Sequence, residues 1–201
     1  MQPKPISAAQ NGQVEVLRKF VQQKGDLATK LKMYKPAFFA AVQNGQNECI
    51  QLLIDAKVDV DTRDIGGETA LIWAALNGHS DSLRLLMASK ASIDTQDNRG
   101  MTALMWATVN ADIDCVQLLI NANASLNAEN RDGLTAVSLA AQYDTPECMR
   151  LLIAARADLD HRDDEGLTAL SWAASREHGD CLQQLVDANA AVDIPDNVGN
   201  T

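Results

Sequence analysis

Aromatic residues are scarce: three Trp, two Tyr and three Phe make up 4% of the 201 residues, while hydrophobic residues make up 46%. A core with so few rings has to be filled with Ala and Leu, which suits tight helix packing. Cysteine is limited to Cys49, Cys115, Cys148 and Cys181, with no Cys-x-x-Cys, so no metal-binding pair comes from one stretch. No apolar run approaches the ~18–20 residues that span a bilayer. Met1 to Ile6 lacks an apolar segment of signal-peptide length. A soluble, cytoplasmic chain is expected.

Basic charge is scarce beyond residue 35. Of 17 Lys and Arg, seven (Lys4, Arg18, Lys19, Lys24, Lys30, Lys32, Lys35) precede residue 36, against Glu15 and Asp26. The remaining 166 residues hold ten basic and 25 acidic residues, and the whole carries a net charge of −10. Phosphate backbones need Lys and Arg, so nucleic acid is an unsuitable partner. An acidic body suits a protein with a basic face, or simply keeps a long surface soluble.

What the chain has in abundance is itself. Gly67-Glu68-Thr69-Ala70-Leu71-Ile72-Trp73-Ala74 returns as Gly100-Met101-Thr102-Ala103-Leu104-Met105-Trp106-Ala107. It returns again as Gly133-Leu134-Thr135-Ala136-Val137-Ser138-Leu139-Ala140 and as Gly166-Leu167-Thr168-Ala169-Leu170-Ser171-Trp172-Ala173, always 33 residues on. Such a period means stacked units that touch only their neighbours. The Thr stands where a helix N-cap is wanted, and the Gly two residues earlier permits a tight turn. Each unit reads as a turn, a short Ala-rich helix, a polar break, a helix with a Leu-Leu or Leu-Val pair, and an alternating tail.

These residues resemble the ankyrin repeat, whose pattern runs Asp-x-x-Gly-x-Thr-Pro-Leu-His-x-Ala-Ala, Gly-His, a Leu-rich helix and Gly-Ala-Asp-Val-Asn. The resemblance covers about residues 5–201 and implies an all-α solenoid of helix–turn–helix units joined by β-hairpin-like loops. One domain is expected over 1–201. Its repeats are about 5–31, 32–64, 65–97, 98–130, 131–163 and 164–196, with 197–201 opening a further unit; a natural chain cut at that point is expected, the alternative being a half-unit that closes the stack. The first unit, atypical and basic, would cap the stack. In the second, Tyr34-Lys35-Pro36 stands in place of the Gly-x-Thr opening.

The departures matter. The family Pro is Ala70, Ala103, Ala136 and Ala169, and the family His is Ile72, Met105, Ser138 and Ser171, so the polar network built on that His should be absent. The turn Gly kept at Gly12, Gly45 and Gly78 becomes Ala111, Asp144 and Glu177. The Gly that closes the second helix becomes Lys57, Lys90, Asn123, Arg156 and Asn189. If the backbone there is left-handed, as the resemblance implies, Lys and Arg cost about 1 kcal/mol each.

Catalytic chemistry finds little support. The four Cys occupy one register of the second helix, with Ser82 in the missing place, and read as small buried apolar residues rather than a metal or redox array. Helices ~8–10 Å apart would hold them beyond disulfide reach. His79 and His178 share the family's turn-His register, and a Cys148–His161 pair would need a thiol from the buried row. Asp158, Asp160, Asp163, Asp164 and Glu165 fail as a calcium loop, with Arg162 at the fifth position, Asp163 for the Gly and Ala169 for the closing Glu. Trp73, Trp106 and Trp172 exchange with Leu139, which points to core. No enzyme activity, cofactor or metal is expected.

The resemblance implies a protein-binding surface on the concave side. Between hairpin Gly and capping Thr lie Glu68, Met101, Leu134 and Leu167. Nothing in the turn requires an apolar residue there, so Met101, Leu134 and Leu167 would form an exposed stripe, or else pack against one another between repeats. Around them lie Tyr143, Arg63, Arg99, Arg131 and Arg162, of types favoured at interface hot spots. The expected function is a non-catalytic, monomeric module that binds another protein through these residues. The alternatives are an acidic inhibitor of a basic partner, or a targeting arm of an enzyme that continues after Thr201.

Overall fold

The structure, a computed structural model, describes residues 5–23 and 27–201, with the backbone alone for residues 27–32. The described residues form twelve helices and no strand, in two compact units, Met1–Thr95 and Gln96–Thr201. Of the charged residues at the start of the chain, Lys4, Lys24 and Asp26, and the side chains of Lys30 and Lys32, lie outside the described set. Arg18 is exposed and pairs with Glu15 at 3.5 Å.

The first unit contains α1 (Pro5–Gln10), α2 (Val14–Gln22), α3 (Leu27–Gln43), α4 (Asn47–Asp55), α5 (Ala70–Leu76) and α6 (Ser80–Ala88). Tyr34-Lys35-Pro36, which stands in place of the Gly-x-Thr opening, lies inside α3, which also runs through residues 31 and 32. No Gly-x-Thr pair is there to end the helix, and Pro36 within it removes one backbone donor and crowds the carbonyl four residues earlier. Tyr34 is buried, and its hydroxyl donates to the carbonyls of Phe20 (3.3 Å) and Val21 (3.4 Å), fastening α3 to the end of α2. Burial also raises the pKa of that phenol.

The second unit contains α7 (Ala103–Val109), α8 (Ile113–Asn121), α9 (Ala136–Tyr143), α10 (Pro146–Ala154), α11 (Ala169–Ser175) and α12 (Gly179–Asp187). Its core runs between the helix pairs: Leu104, Met105, Val116, Leu119, Val137, Ala140, Met149 and Leu152 are buried. Small residues let the first helices approach closely, which is how an interior nearly free of rings reaches full density. Cys115, Cys148 and Cys181 are fully buried and unbridged, as is Cys49 in the first unit.

The Thr caps form as expected. Thr102 Oγ1 accepts the Met105 N–H at 3.3 Å, and Thr135 and Thr168 do the same for Ser138 (3.4 Å) and Ser171 (3.3 Å). Such a cap contributes about 1 kcal/mol. The expected loss of the family's His network is only partly met. The hydroxyls of Ser138 and Ser171 lie 3.2 and 3.1 Å from those of Thr135 and Thr168, so a serine fills part of the gap.

The left-handed positions are real. Lys57, Lys90, Asn123, Arg156 and Asn189 have φ of 68, 65, 60, 64 and 61°. Ala111, Asp144 and Glu177 have φ of 55, 54 and 60° where Gly12, Gly45 and Gly78 stand in the first unit. Non-glycine residues accept this strain because the turn also closes the helix end: the Asn123 N–H reaches Ile120 O at 3.0 Å, and the Arg156 N–H reaches Ile153 O at 2.9 Å.

Candidate functional site

Each hairpin is built on one acidic or amide side chain. Asp97 Oδ1 accepts the N–H groups of Arg99 (2.8 Å) and Met101 (2.9 Å), closing the turn, while Oδ2 accepts the indole N–H of Trp106 at 3.0 Å. Asp163 repeats this with Glu165, Leu167 and Trp172 (3.0, 2.8 and 2.8 Å), and Asp64 with Gly66, Glu68 and Trp73 (3.0, 3.0 and 2.8 Å). The tryptophans are therefore not simple core. They are half-buried, and each ties its helix back to its own hairpin. An indole N–H needs an acceptor when it leaves water, and the Asp supplies a charged one.

The repeat at 131–163 departs on both sides of this pair. Asn130 replaces the Asp and Leu139 replaces the Trp. Asn130 Oδ1 still accepts from Asp132 and Leu134, both at 2.9 Å, and its amide nitrogen lies 3.6 Å from Met101 Sδ. With no indole to bind, a second carboxylate oxygen would have no partner there, and the neutral amide suffices.

A smaller side chain where its neighbours carry indoles leaves room. Beside Leu139 lies a groove of about 410 Å³. Met101, Leu134 and Leu139 form its floor. Trp106 and Val109 stand on one side, and Gln142 and Tyr143 on the other. Arg99 and Arg131 line its rim together with Asn98, Asn130 and Asp132. The Arg99 guanidinium lies 4.4 Å from the centroid of the Trp106 ring, and its Nε is 3.8 Å from Asp97 Oδ2. Stacking and charge together hold it in place. Tyr143 is 54% exposed at the end of α9, an aromatic ring offered to solvent by a chain with few to spare.

The expected exposed stripe is corrected. Met101 and Leu134 are each 6% exposed and pack with Met105 and Leu139 in one cluster. The hairpins stack tip on tip, with the Arg131 N–H on Arg99 O at 3.0 Å and the Asp164 N–H on Asp132 O at 3.2 Å. That spacing turns the residue between Gly and Thr inward. A side chain at Gly133 (φ 74°) would meet the Asp164 nitrogen at 2.7 Å, so the stacking also requires its glycine. Leu167 is half-buried and lines a different groove. Arg162 donates to Gly166 O (3.1 Å) and Asn197 Oδ1 (3.1 Å), bracing a hairpin. Arg63 belongs to the first unit.

The groove thus gathers Met101, Leu134, Tyr143, Arg99 and Arg131. Reading the sequence missed Leu139, Trp106, Val109 and Gln142. The signal was present in the paired exchange of Asp for Asn and Trp for Leu, which shows only when residues nine apart are compared.

The other polar clusters serve the fold. His178 Nδ1 lies 2.8 Å from Ala141 O, His79 Nε2 lies 3.1 Å from Gln43 O, and His161 Nε2 lies 3.0 Å from Gly133 O. In the tails, Asn127 and Asp160 accept backbone N–H groups from the following repeat, Asp158 (3.0 Å) and Ala191 (2.8 Å). Part of the acidic excess is therefore structural. Burial pushes the Cys115 and Cys181 thiols up to about 12 and Cys148 to about 11, far from a nucleophile's range. Among the described residues no group of three or more His, Cys, Asp or Glu could hold a metal, and no helix is long and apolar enough to cross a membrane.

No curated protein matches the chain. The family model for ankyrin repeats (three copies) matches residues 6–97, 38–130, 85–163 and 104–197. With the stacked all-α helix pairs and Thr-capped hairpins described above, the chain belongs to the ankyrin repeat family.

Proposed function

We propose that the second unit binds a partner protein in the groove beside Leu139. Ankyrin repeats are in general protein–protein interaction modules. The observation that carries this placement is the groove itself, which opens where the repeat lacks its Trp. An apolar side chain of the partner enters over Leu134 and Leu139, between Trp106 and Tyr143. A carboxylate beside it faces Arg99 and Arg131. Tyr143 and Arg131 are the anchors, because both are exposed and of hot-spot type. Met101 and Leu134 act as floor rather than as contacts reaching outward.

The net charge of −10 favours a partner that is basic overall, since long-range steering depends on the whole field while the groove selects locally. The module works as a non-catalytic monomer in a reducing, intracellular compartment, where four unpaired thiols persist.

Leu139→Trp is the direct test. It fills the groove from below with a residue the same register accepts in neighbouring repeats. Proteins captured by the natural chain should be lost on Leu139→Trp and on Arg131→Glu, with helix content by circular dichroism unchanged. An identical captured set for all three chains would refute the placement. Affinity that falls with added salt supports the basic partner.

A further inference from the structure

The exchange of Asp for Asn at position 130 reverses the polarity of the groove floor. Asp97 and Asp163 are buried beneath their own indoles, and each offers Oδ2 as an acceptor to the indole N–H, at 3.0 and 2.8 Å. Asn130 is half-buried and lines the groove. The N–H groups of Asp132 and Leu134, both at 2.9 Å, fix its Oδ1 on the turn. Its side-chain nitrogen therefore stands where the neighbouring repeats have Oδ2, a donor in place of an acceptor. The acceptor it meets is Met101 Sδ at 3.6 Å, and a thioether is a weak one. Where an indole covers Asp97 and Asp163, the shorter Leu139 leaves this nitrogen open to the groove.

The charge around that donor is one-sided. Arg99, held over Trp106, and the exposed Arg131 stand on the rim. Asp132, Leu134 and Gln142 separate the groove from a smaller hollow of about 230 Å³, which Asp163, Asp164 and Glu165 also line. An incoming carboxylate is repelled from the second hollow and drawn to the arginine side of the first.

We propose that Asn130 is the specificity-determining residue of this groove. It selects a partner segment in which an apolar side chain stands next to a glutamate or aspartate, whose carboxylate accepts the Asn130 amide N–H and pairs with Arg131. It rejects a tryptophan, whose indole N–H fits the acceptor of the neighbouring repeats but here would face another donor. The proposal rests on the reading that the groove beside Leu139 binds a protein.

The probe is a random peptide library displayed on phage, selected in parallel on the natural chain, Asn130→Asp and Leu139→Trp. Asp closes this turn in the repeats on either side, so Asn130→Asp keeps the backbone bonds and turns the donor into a charged acceptor. Peptides enriched on the natural chain should carry an apolar residue next to Glu or Asp. Synthesised, the strongest of them should bind Asn130→Asp about tenfold or more weakly. The same peptide with tryptophan in place of its acidic residue should bind Asn130→Asp more tightly than it binds the natural chain. A role for Asn130 in the turn alone would leave both affinities unchanged. If Leu139→Trp abolishes binding but the enriched peptides lack an acidic neighbour, or bind Asn130→Asp equally well, the selectivity is overturned and the groove stands. Peptides that bind Leu139→Trp as well as the natural chain, or no enrichment at all, overturn the groove and the proposal with it.

Discussion

Two neighbouring repeats of the second unit, 98–130 and 131–163, share a backbone and differ in how they secure it. The first closes its hairpin with a carboxylate that also receives an indole, Asp97 with Trp106. The second closes the same turn with an amide and leaves the indole's place to Leu139. The first leaves its helix–helix turn on Ala111 and ends its second helix on Asn123. The second uses Asp144 and Arg156 at the same left-handed positions. The first repeat is the better fastened through its hairpin, and the second holds the open space. A repeat fold offers function by relaxing one unit while its neighbours hold it in place.

The largest expected effect separates the two closing residues. Asp97→Ala strands two backbone N–H groups and an indole N–H beside a buried site, and should lower stability by about 3 kcal/mol. Asn130→Ala strands two N–H groups that had a neutral acceptor, and should cost about 1–2 kcal/mol. Urea unfolding of both variants checks the order. Equal losses would mean that the charge and the indole add nothing to the turn.

Next comes the indole alone. Trp106→Phe keeps the ring beneath Arg99 and removes the donor, and should cost about 1.5–3 kcal/mol, as expected for a hydrogen bond to a charged group. Installing the pair in the relaxed repeat is the converse. Asn130→Asp with Leu139→Trp should be more stable than the sum of the single changes by about 1 kcal/mol. A double-mutant cycle with no coupling would break the comparison.

The left-handed positions give smaller shifts of opposite sign. Arg156→Gly should raise stability by about 1 kcal/mol, and Lys90→Gly in the first unit likewise. Asn123→Gly should change little, because Asn tolerates this conformation. Thermal midpoints that stay level for Arg156 and Lys90 would show that local contacts already offset the strain.

The last effect is confined to alkaline pH. Burial, reinforced by the Asp112 carboxylate, raises the Cys115 thiol to about 12. Burial raises Cys148 to about 11, held back by the Thr145 side chain. A thiol that holds its proton more tightly when folded than when unfolded leaves stability untouched below about pH 8 and reduces it as pH rises from about 9 towards 11–12. Cys115→Ala should flatten that alkaline decline more than Cys148→Ala does. Thiol titration at pH 8 should find none of the four reactive until denaturant is added.

Much of the fold could be read from the residues. The 33-residue period, the capping Thr and the hairpin Gly specify short helix pairs, because each acts within a few residues of itself. The left-handed positions were implied by the resemblance to the ankyrin repeat, whose glycines they replace. The site was legible only in part. Tyr143, Arg99 and Arg131 were singled out by type and place, whereas Met101 and Leu134 were read as reaching outward. Their direction depends on how tightly one hairpin tip rests on the next, a distance no single repeat contains. The long α3 escaped notice because a missing stop signal is harder to read than a present one.

The sequence by itself therefore determined the unit: its length, its caps, its turns and the apolar registers that must be covered. Only the tertiary structure decided which of those registers are covered. Burial belongs to a pair of neighbouring repeats, so the inward turn of Met101 and Leu134 and the groove beside Leu139 appear only once the units stand next to one another.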